Sequence, residues 1–152
     1  MFSGILSVNM DAKGRFAIPT RFRDRLVSEG SAQIAITIDP NSRNLVIYPL
    51  AHWQEIQEKI SRLPSLDPHA KRLQRLVLGH AFDDVELDGS GRILVPPLLR
   101  EYAQLDKKLV LLGQPNKLEI WAEGMWSTHS DELISNQLDP ADMSADVQAV
   151  PL

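Results

Sequence analysis

The chain has 152 residues, no cysteine and a formal charge of −4. That length holds one domain or two very small ones. The missing cysteine excludes disulfides, thiolate metal sites and cysteine nucleophiles and fits a reducing cytoplasm, while the acidity argues at first against nucleic acid.

Gly4–Met10 alternates well enough for a strand, with Ile5, Val8 and Met10 as candidates for burial. Asp11-Ala12-Lys13-Gly14 then reads as a type I turn followed by a left-handed glycine. Asp suits the first position because its carboxylate bonds the backbone two residues on, and Gly suits the fourth because φ > 0 costs it nothing. This is a hairpin connection with a bulge, so Arg15–Ile18 is expected as the return strand. Pro19 suits a helix start, where its missing N–H is no loss. Phe22 and Leu26 then face inward, and Arg21 and Arg25 outward. Strands over Ala32–Ile38 and Leu45–Tyr48 follow. Trp53, Ile56, Ile60 and Leu63 form a helical apolar stripe that Pro64 ends, and Asp67-Pro68 caps another helix bearing Lys71, Arg72 and Arg75. These three cations are expected to solvate that helix.

The strongest feature is internal. VNMDAKGRFAIPTRFR (8–23) aligns with VELDGSGRILVPPLLR (85–100) at a constant offset of 77. Val8/Val85, Asp11/Asp88, Gly14/Gly91, Arg15/Arg92, Pro19/Pro96 and Arg23/Arg100 are identical. LVIYPLAHW (45–53) matches LEIWAEGMW (118–126) at offset 73, with Leu45/Leu118, Ile47/Ile120 and Trp53/Trp126 identical. The chain is a duplication. Its second copy has a turn at Asp88-Gly89-Ser90-Gly91, strands over Lys108–Leu112 and Lys117–Trp121, and a helix over about 123–136. Each copy alone is near the lower size limit for an independent fold, so the two are expected to share one core. The organisation is 1–52 first repeat, 53–80 helical linker, 81–126 second repeat, and 127–152 a last helix with a mobile acidic tail.

Charge follows this division. Residues 1–126 hold all sixteen Lys and Arg and fifteen acids, a net +1, whereas 127–152 hold five acids and no Lys or Arg. The stretch 11–25 alone is +3. Net acidity is therefore a tail effect.

The tandem DxKGR-x-x-x-P and DxxGR-x-x-x-P motifs, with their 77-residue spacing and the Tyr48-Pro49 and Trp53 region, resemble the MraZ family, tandem members of the SpoVT/AbrB group. The resemblance spans about residues 1–126. It implies a mainly β fold with short helices (α+β), a swapped-hairpin AbrB-like β-barrel formed by two pseudo-symmetric repeats. It also implies a DNA-binding transcriptional repressor of its own division and cell wall gene cluster. Such a protein binds promoter direct repeats on double-stranded DNA as a ring-shaped homo-oligomer, in the cytoplasm at the nucleoid.

The residues themselves suggest a mechanism. A two-stranded ribbon fits a major groove, and Arg holds a guanine edge at O6 and N7. Lys13 and Arg15 stand at the first turn and Arg92 at the second, while Arg21, Arg23 and Arg25 would add attraction for phosphate. Asp11, Gly14, Asp88 and Gly91 are read as turn formers. Arg15 and Arg92 have a second reading, in which they pair with Asp11 and Asp88 to brace the turns. The second copy has Gly89-Ser90 for Ala12-Lys13 and Pro97-Leu98-Leu99 for Thr20-Arg21-Phe22, so DNA contact is assigned mainly to the first copy and packing to the second.

Other classes fit poorly. His52, His69, His80 and His129 lack close metal-ligand spacing, and neither a P-loop nor G-x-S-x-G is present. No enzyme, metal, cofactor or small-molecule substrate is expected. No apolar run nears the ~20 residues of a membrane helix and no signal peptide is evident, so no membrane partner is expected. The competing reading is an oligomeric scaffold without its own DNA specificity.

Overall fold

A computed structural model describes residues 2–28 and 32–152. Among the described residues, eight strands are distributed equally between the repeats. The first supplies β1 (Ile5–Asn9), β2 (Arg15–Ala17), β3 (Gln33–Ile38) and β4 (Leu45–Pro49). The second supplies β5 (Phe82–Glu86), β6 (Arg92–Leu94), β7 (Lys108–Gly113) and β8 (Leu118–Ala122). Helix α1 (Thr20–Ser28) follows β2, and α4 (Pro97–Tyr102) follows β6 at the matching place. Helix α2 (Leu50–Ser61) follows β4, and α5 (Glu123–Ser135) follows β8. Between the repeats, α3 (Pro68–Leu73) widens into a π-helical turn over Gln74–Leu78.

The pairing is palindromic. One antiparallel sheet runs β1-β7-β8-β4-β3-β5, and a separate ladder pairs β2 with β6. Exchanging the repeats maps this order onto its own reverse. Each first strand has left its own repeat: β1 pairs with β7 (Val8 opposite Leu109), and β5 with β3 (Val85 opposite Ile34). The turn before β2 forms with its left-handed glycine, as read from the sequence, but it does not join a paired hairpin. β1 and β2 are each claimed by the other repeat, which is the swap that the family resemblance implies. The pairings do not close into a single hydrogen-bonded barrel. β2 and β6 satisfy each other, so β1 and β5 remain as sheet edges. The β5 edge carries Asp83, Asp84 and Glu86, charges that discourage further strand pairing.

The core lies between this sheet, the β2–β6 ladder and helices α1 and α4. Phe16, Ile18, Phe22 and Leu26 meet their counterparts Ile93, Val95, Leu99 and Ala103, all buried. Phe22 and Leu26 point inward because they are one helical turn apart. One burial expectation is corrected. Met10 is buried and Val8 partly so, but Ile5 is 54% exposed. Side chains alternate along a strand, so Ile5, three residues from Val8, faces the other way; Leu6 takes the inward place.

A smaller cluster covers the outer face of β3 and β4. Trp53 and Ile60 of α2 pack there with Ala35 and Val77. Thr37, buried in β3, donates its hydroxyl to the Val77 carbonyl at 2.6 Å and fixes the π turn to the sheet. Asp67 caps α3, its carboxylate accepting the His69 N–H at 2.8 Å. Beyond α5, a short turn at Pro140–Asp142 and a last helix α6 (Ala145–Gln148) are exposed throughout. No helix among the described residues is long and apolar enough to cross a membrane.

Because Phe16 lies in the exchanged core, Phe16→Ala is expected to lower stability by about 3–5 kcal/mol. Urea denaturation followed by tryptophan fluorescence measures it.

Candidate nucleic-acid interface

Each turn is built around one carboxylate. Asp11 Oδ1 accepts the N–H groups of Lys13 and Arg15, both at 2.9 Å, while the Asp11 carbonyl accepts the Gly14 N–H at 3.0 Å. Asp88 repeats the pattern with Ser90 at 2.8 Å, Arg92 at 2.9 Å and Gly91 at 2.9 Å. Gly14 and Gly91 sit at φ +91° and +73°, the left-handed region that the turn requires. Backbone N–H donation from Arg15 and Arg92 is the chief cause that holds the Asp11 and Asp88 carboxyls below their ordinary range.

The same carboxylates brace the arginines. Arg15 Nε donates to Asp11 Oδ2 at 3.0 Å, and Arg92 Nε to Asp88 Oδ2 at 3.1 Å. Bracing and recognition are compatible. Only Nε is used, so both Nη groups of each arginine are without a hydrogen-bond partner among the described residues. Both side chains stay partly exposed, 38% for Arg15 and 43% for Arg92.

The ladder register decides where they stand. Arg15 is opposite Leu94, Phe16 opposite Ile93, and Ala17 opposite Arg92. Phe16 and Ile93 point into the core, so Arg15, Ala17, Arg92 and Leu94 share the outer face. Arg15 and Arg92 are diagonal neighbours there, a separation of about 7–8 Å for such pairs. The two-stranded ribbon that carries the arginines is therefore β2–β6, one strand from each repeat. In the second motif Leu99 is buried, while Arg92, Leu94 and Leu98 lie on the surface.

The remaining basic residues divide by position. Lys13 is exposed at the turn tip. Arg21 and Arg25 face outward on α1 and line a groove with Phe2, Ser3 and Asp24. Arg23 turns to the other repeat instead, donating to the Ser90 carbonyl at 3.0 Å and to Thr20 Oγ1 at 2.9 Å. A Cβ on Gly91 would stand 2.0 Å from Arg23 Nη1. Arg100 is its counterpart: a Cβ on Gly14 would stand 2.7 Å from the Arg100 guanidinium carbon. Each arginine thus lies across the opposite repeat's turn. Arg100 entered the sequence reading only as one of the repeated identities, yet its identity with Arg23 was the signal for this paired role. Lys71, Arg72 and Arg75 lie on α3 and its π turn, where Arg72 donates to the Pro40 carbonyl. No group of three or more metal-ligating side chains occurs among the described residues.

Gly14→Ala and Gly91→Ala are each expected to cost at least ~1–2 kcal/mol from left-handed strain, plus displacement of the arginine above, read as a lower urea midpoint. Because the Asp11 and Asp88 pKa values are lowered on folding, their stabilisation is fully present at pH well above the ordinary carboxylate range. It is lost as pH falls through the lower folded values. NMR titration should show the Lys13, Arg15, Ser90 and Arg92 amides unchanged from neutral pH down to the ordinary carboxylate range, and shifting only below it.

The family model described as MraZ protein, antitoxin-like, matches the chain twice, over residues 1–76 and 77–147. A Transcriptional regulator MraZ from Halorhodospira halophila is 55% identical over 126 residues, covering 83% of this chain and 82% of the relative. One from Pseudomonas putida strain W619 is 48% identical over 148 residues, 97% of both chains. One from Thioalkalivibrio sulfidiphilus is 44% identical over 152 residues, all of both chains. With the family model matched twice across nearly the whole length, and relatives matched end to end, the chain belongs to the MraZ family.

Proposed function

We propose that this chain is a sequence-specific DNA-binding transcriptional regulator of the cytoplasm and nucleoid. In this reading it represses its own division and cell wall gene cluster, binding promoter direct repeats as a ring-shaped homo-oligomer. The relatives' name, Transcriptional regulator MraZ, supports the regulator. The observation that carries the DNA contact is the exposed β2–β6 ladder, with Arg15 and Arg92 braced on one face.

Arg15 and Arg92 enter the major groove and hold guanine edges through their free Nη groups. Their braces matter because an arginine fixed before binding loses less side-chain entropy on contact. Lys13, a flexible point charge at the turn tip, takes phosphate. Arg21 and Arg25 add attraction without reading sequence. Arg23 acts through the second turn, which it holds in place by its bond to Ser90. The +3 of residues 11–25 is small for one copy; repetition around a ring raises the effective concentration of each further contact.

The test compares binding to a promoter fragment carrying direct repeats with binding to a scrambled fragment, at two salt concentrations. The expected result is sequence preference with a steep fall in affinity as salt rises. Arg15→Ala should weaken specific binding about tenfold or more while the urea midpoint stays near that of the parent. Lys13→Ala should weaken both fragments alike and flatten the salt dependence. Equal, feeble binding of the parent to both fragments would leave an oligomeric scaffold instead.

A further inference from the structure

The duplication extends beyond the strand motifs, and its last part is unpaired in a single chain. Leu66-Asp67-Pro68 recurs as Leu138-Asp139-Pro140. Both Asp residues cap a helical turn in the same way, Asp67 Oδ1 accepting the His69 N–H at 2.8 Å and Asp139 Oδ1 the Ala141 N–H at 2.9 Å. The family model agrees: its first match ends at 76, within the π turn, and its second runs on to 147, within α6. The C-terminal segment is thus the second repeat's counterpart of α3 and its π turn.

In the first repeat that element has a seat. Val77 and Leu73 pack with Trp53 and Ile60 of α2, and Gln74 Nε2 bonds the Ile60 carbonyl at 3.2 Å. At offset 73 the equivalents of Trp53, Ile56 and Ile60 are Trp126, His129 and Leu133 on α5. Trp126 and His129 lie against Trp121, with His129 stacked at 4.7 Å. The rest of the seat is bare: Ile60 is 9% exposed but Leu133 is 60% exposed, and the adjacent Ile134 is 79% exposed. The segment that should cover it is bare too: Val150, the counterpart of Leu78, which packs against the Trp53 cluster, is 53% exposed.

The connection explains why the chain does not cover itself. After α2 the chain reverses through a turn in which the Asp67 N–H bonds the Pro64 carbonyl at 3.0 Å. Arg62–Leu66 supply that connection, whereas only Asn136–Leu138 join α5 to Asp139, without a counterpart of Pro64. Asn136 leaves α5 extended at φ −81°, ψ 104°. Shortened hinges favour exchange of an element between copies. We infer that the apolar stripe of α5 is a docking surface for residues 138–152 of a second copy of this chain, which seat there as α3 and its π turn seat on α2. This contact is independent of the DNA reading.

The absence of cysteine makes the test direct. Leu133→Cys, at the counterpart of Ile60, in one preparation and Ala149→Cys, at the counterpart of Val77, in another are mixed and oxidised. Both positions are exposed, so folding is retained, checked by unchanged thermal unfolding. The expected result is a 133–149 disulfide between chains, several-fold above that of a control pair in which Leu66→Cys replaces Leu133→Cys. Adding Val150→Asp to the Ala149→Cys chain should abolish the excess. A yield equal to the control overturns the inference. So does a doubly substituted chain, Leu133→Cys with Ala149→Cys, that closes on itself in dilute solution rather than linking two chains. Equal, feeble binding of the parent chain to both DNA fragments, with the cross-link formed as expected, would overturn the regulator reading alone.

Discussion

β1 bonds β7 and β5 bonds β3, so the first strand of each repeat completes the other's half of the sheet. A unit this small is near the lower size limit for burying enough apolar surface alone. The exchange merges two small cores into one. It also frees β2 and β6 from their own preceding strands, and these two pair across the pseudo-two-fold axis. The exposed ladder is thus a consequence of the core. Phe16 and Ile93 face inward from it, which obliges Arg15 and Arg92 to face out.

The turns feeding this ladder are fixed by short-range bonds that the exchange then locks. Asp11 and Asp88 organise their own backbones and hold the side chains of Arg15 and Arg92. Arg23 bonds the Ser90 carbonyl in the opposite repeat's turn, and Arg100 lies against the other turn, each over a glycine that leaves room for it. This arrangement aims two long, flexible side chains from a rigid support. Charge adds the asymmetry. Arg21 lies where the second repeat has Leu98, and Lys13 where it has Ser90, so geometry is shared while the extra positive charge belongs to the first repeat.

The two ends of the sheet's outer face differ in the same spirit. Over β3 and β4, α2, α3 and the π turn form a closed cluster around Trp53. Over β7 and β8, α5 brings Trp126 and His129 to Trp121 and then runs past its support. One duplicated plan yields a finished face and an unfinished one, and the difference is a connection shortened by two residues between α5 and its Asp-Pro cap.

Much of this was set by local sequence. The turns, their carboxylate bonds and left-handed glycines, the inward Phe22 and Leu26, the Asp67 cap and the duplication depend on contacts within a few residues or on identity between copies. Those signals are carried by the residues themselves. The facing of Ile5 was misread because a three-residue spacing cannot keep one face of a strand, and Leu6 gives the true alternation. Only the tertiary structure decided that Arg15 and Arg92 share one surface, that Arg23 turns to Ser90, and that Leu133 is bare where Ile60 is covered. Each depends on register or packing between segments dozens of residues apart, and no local preference encodes a pairing partner.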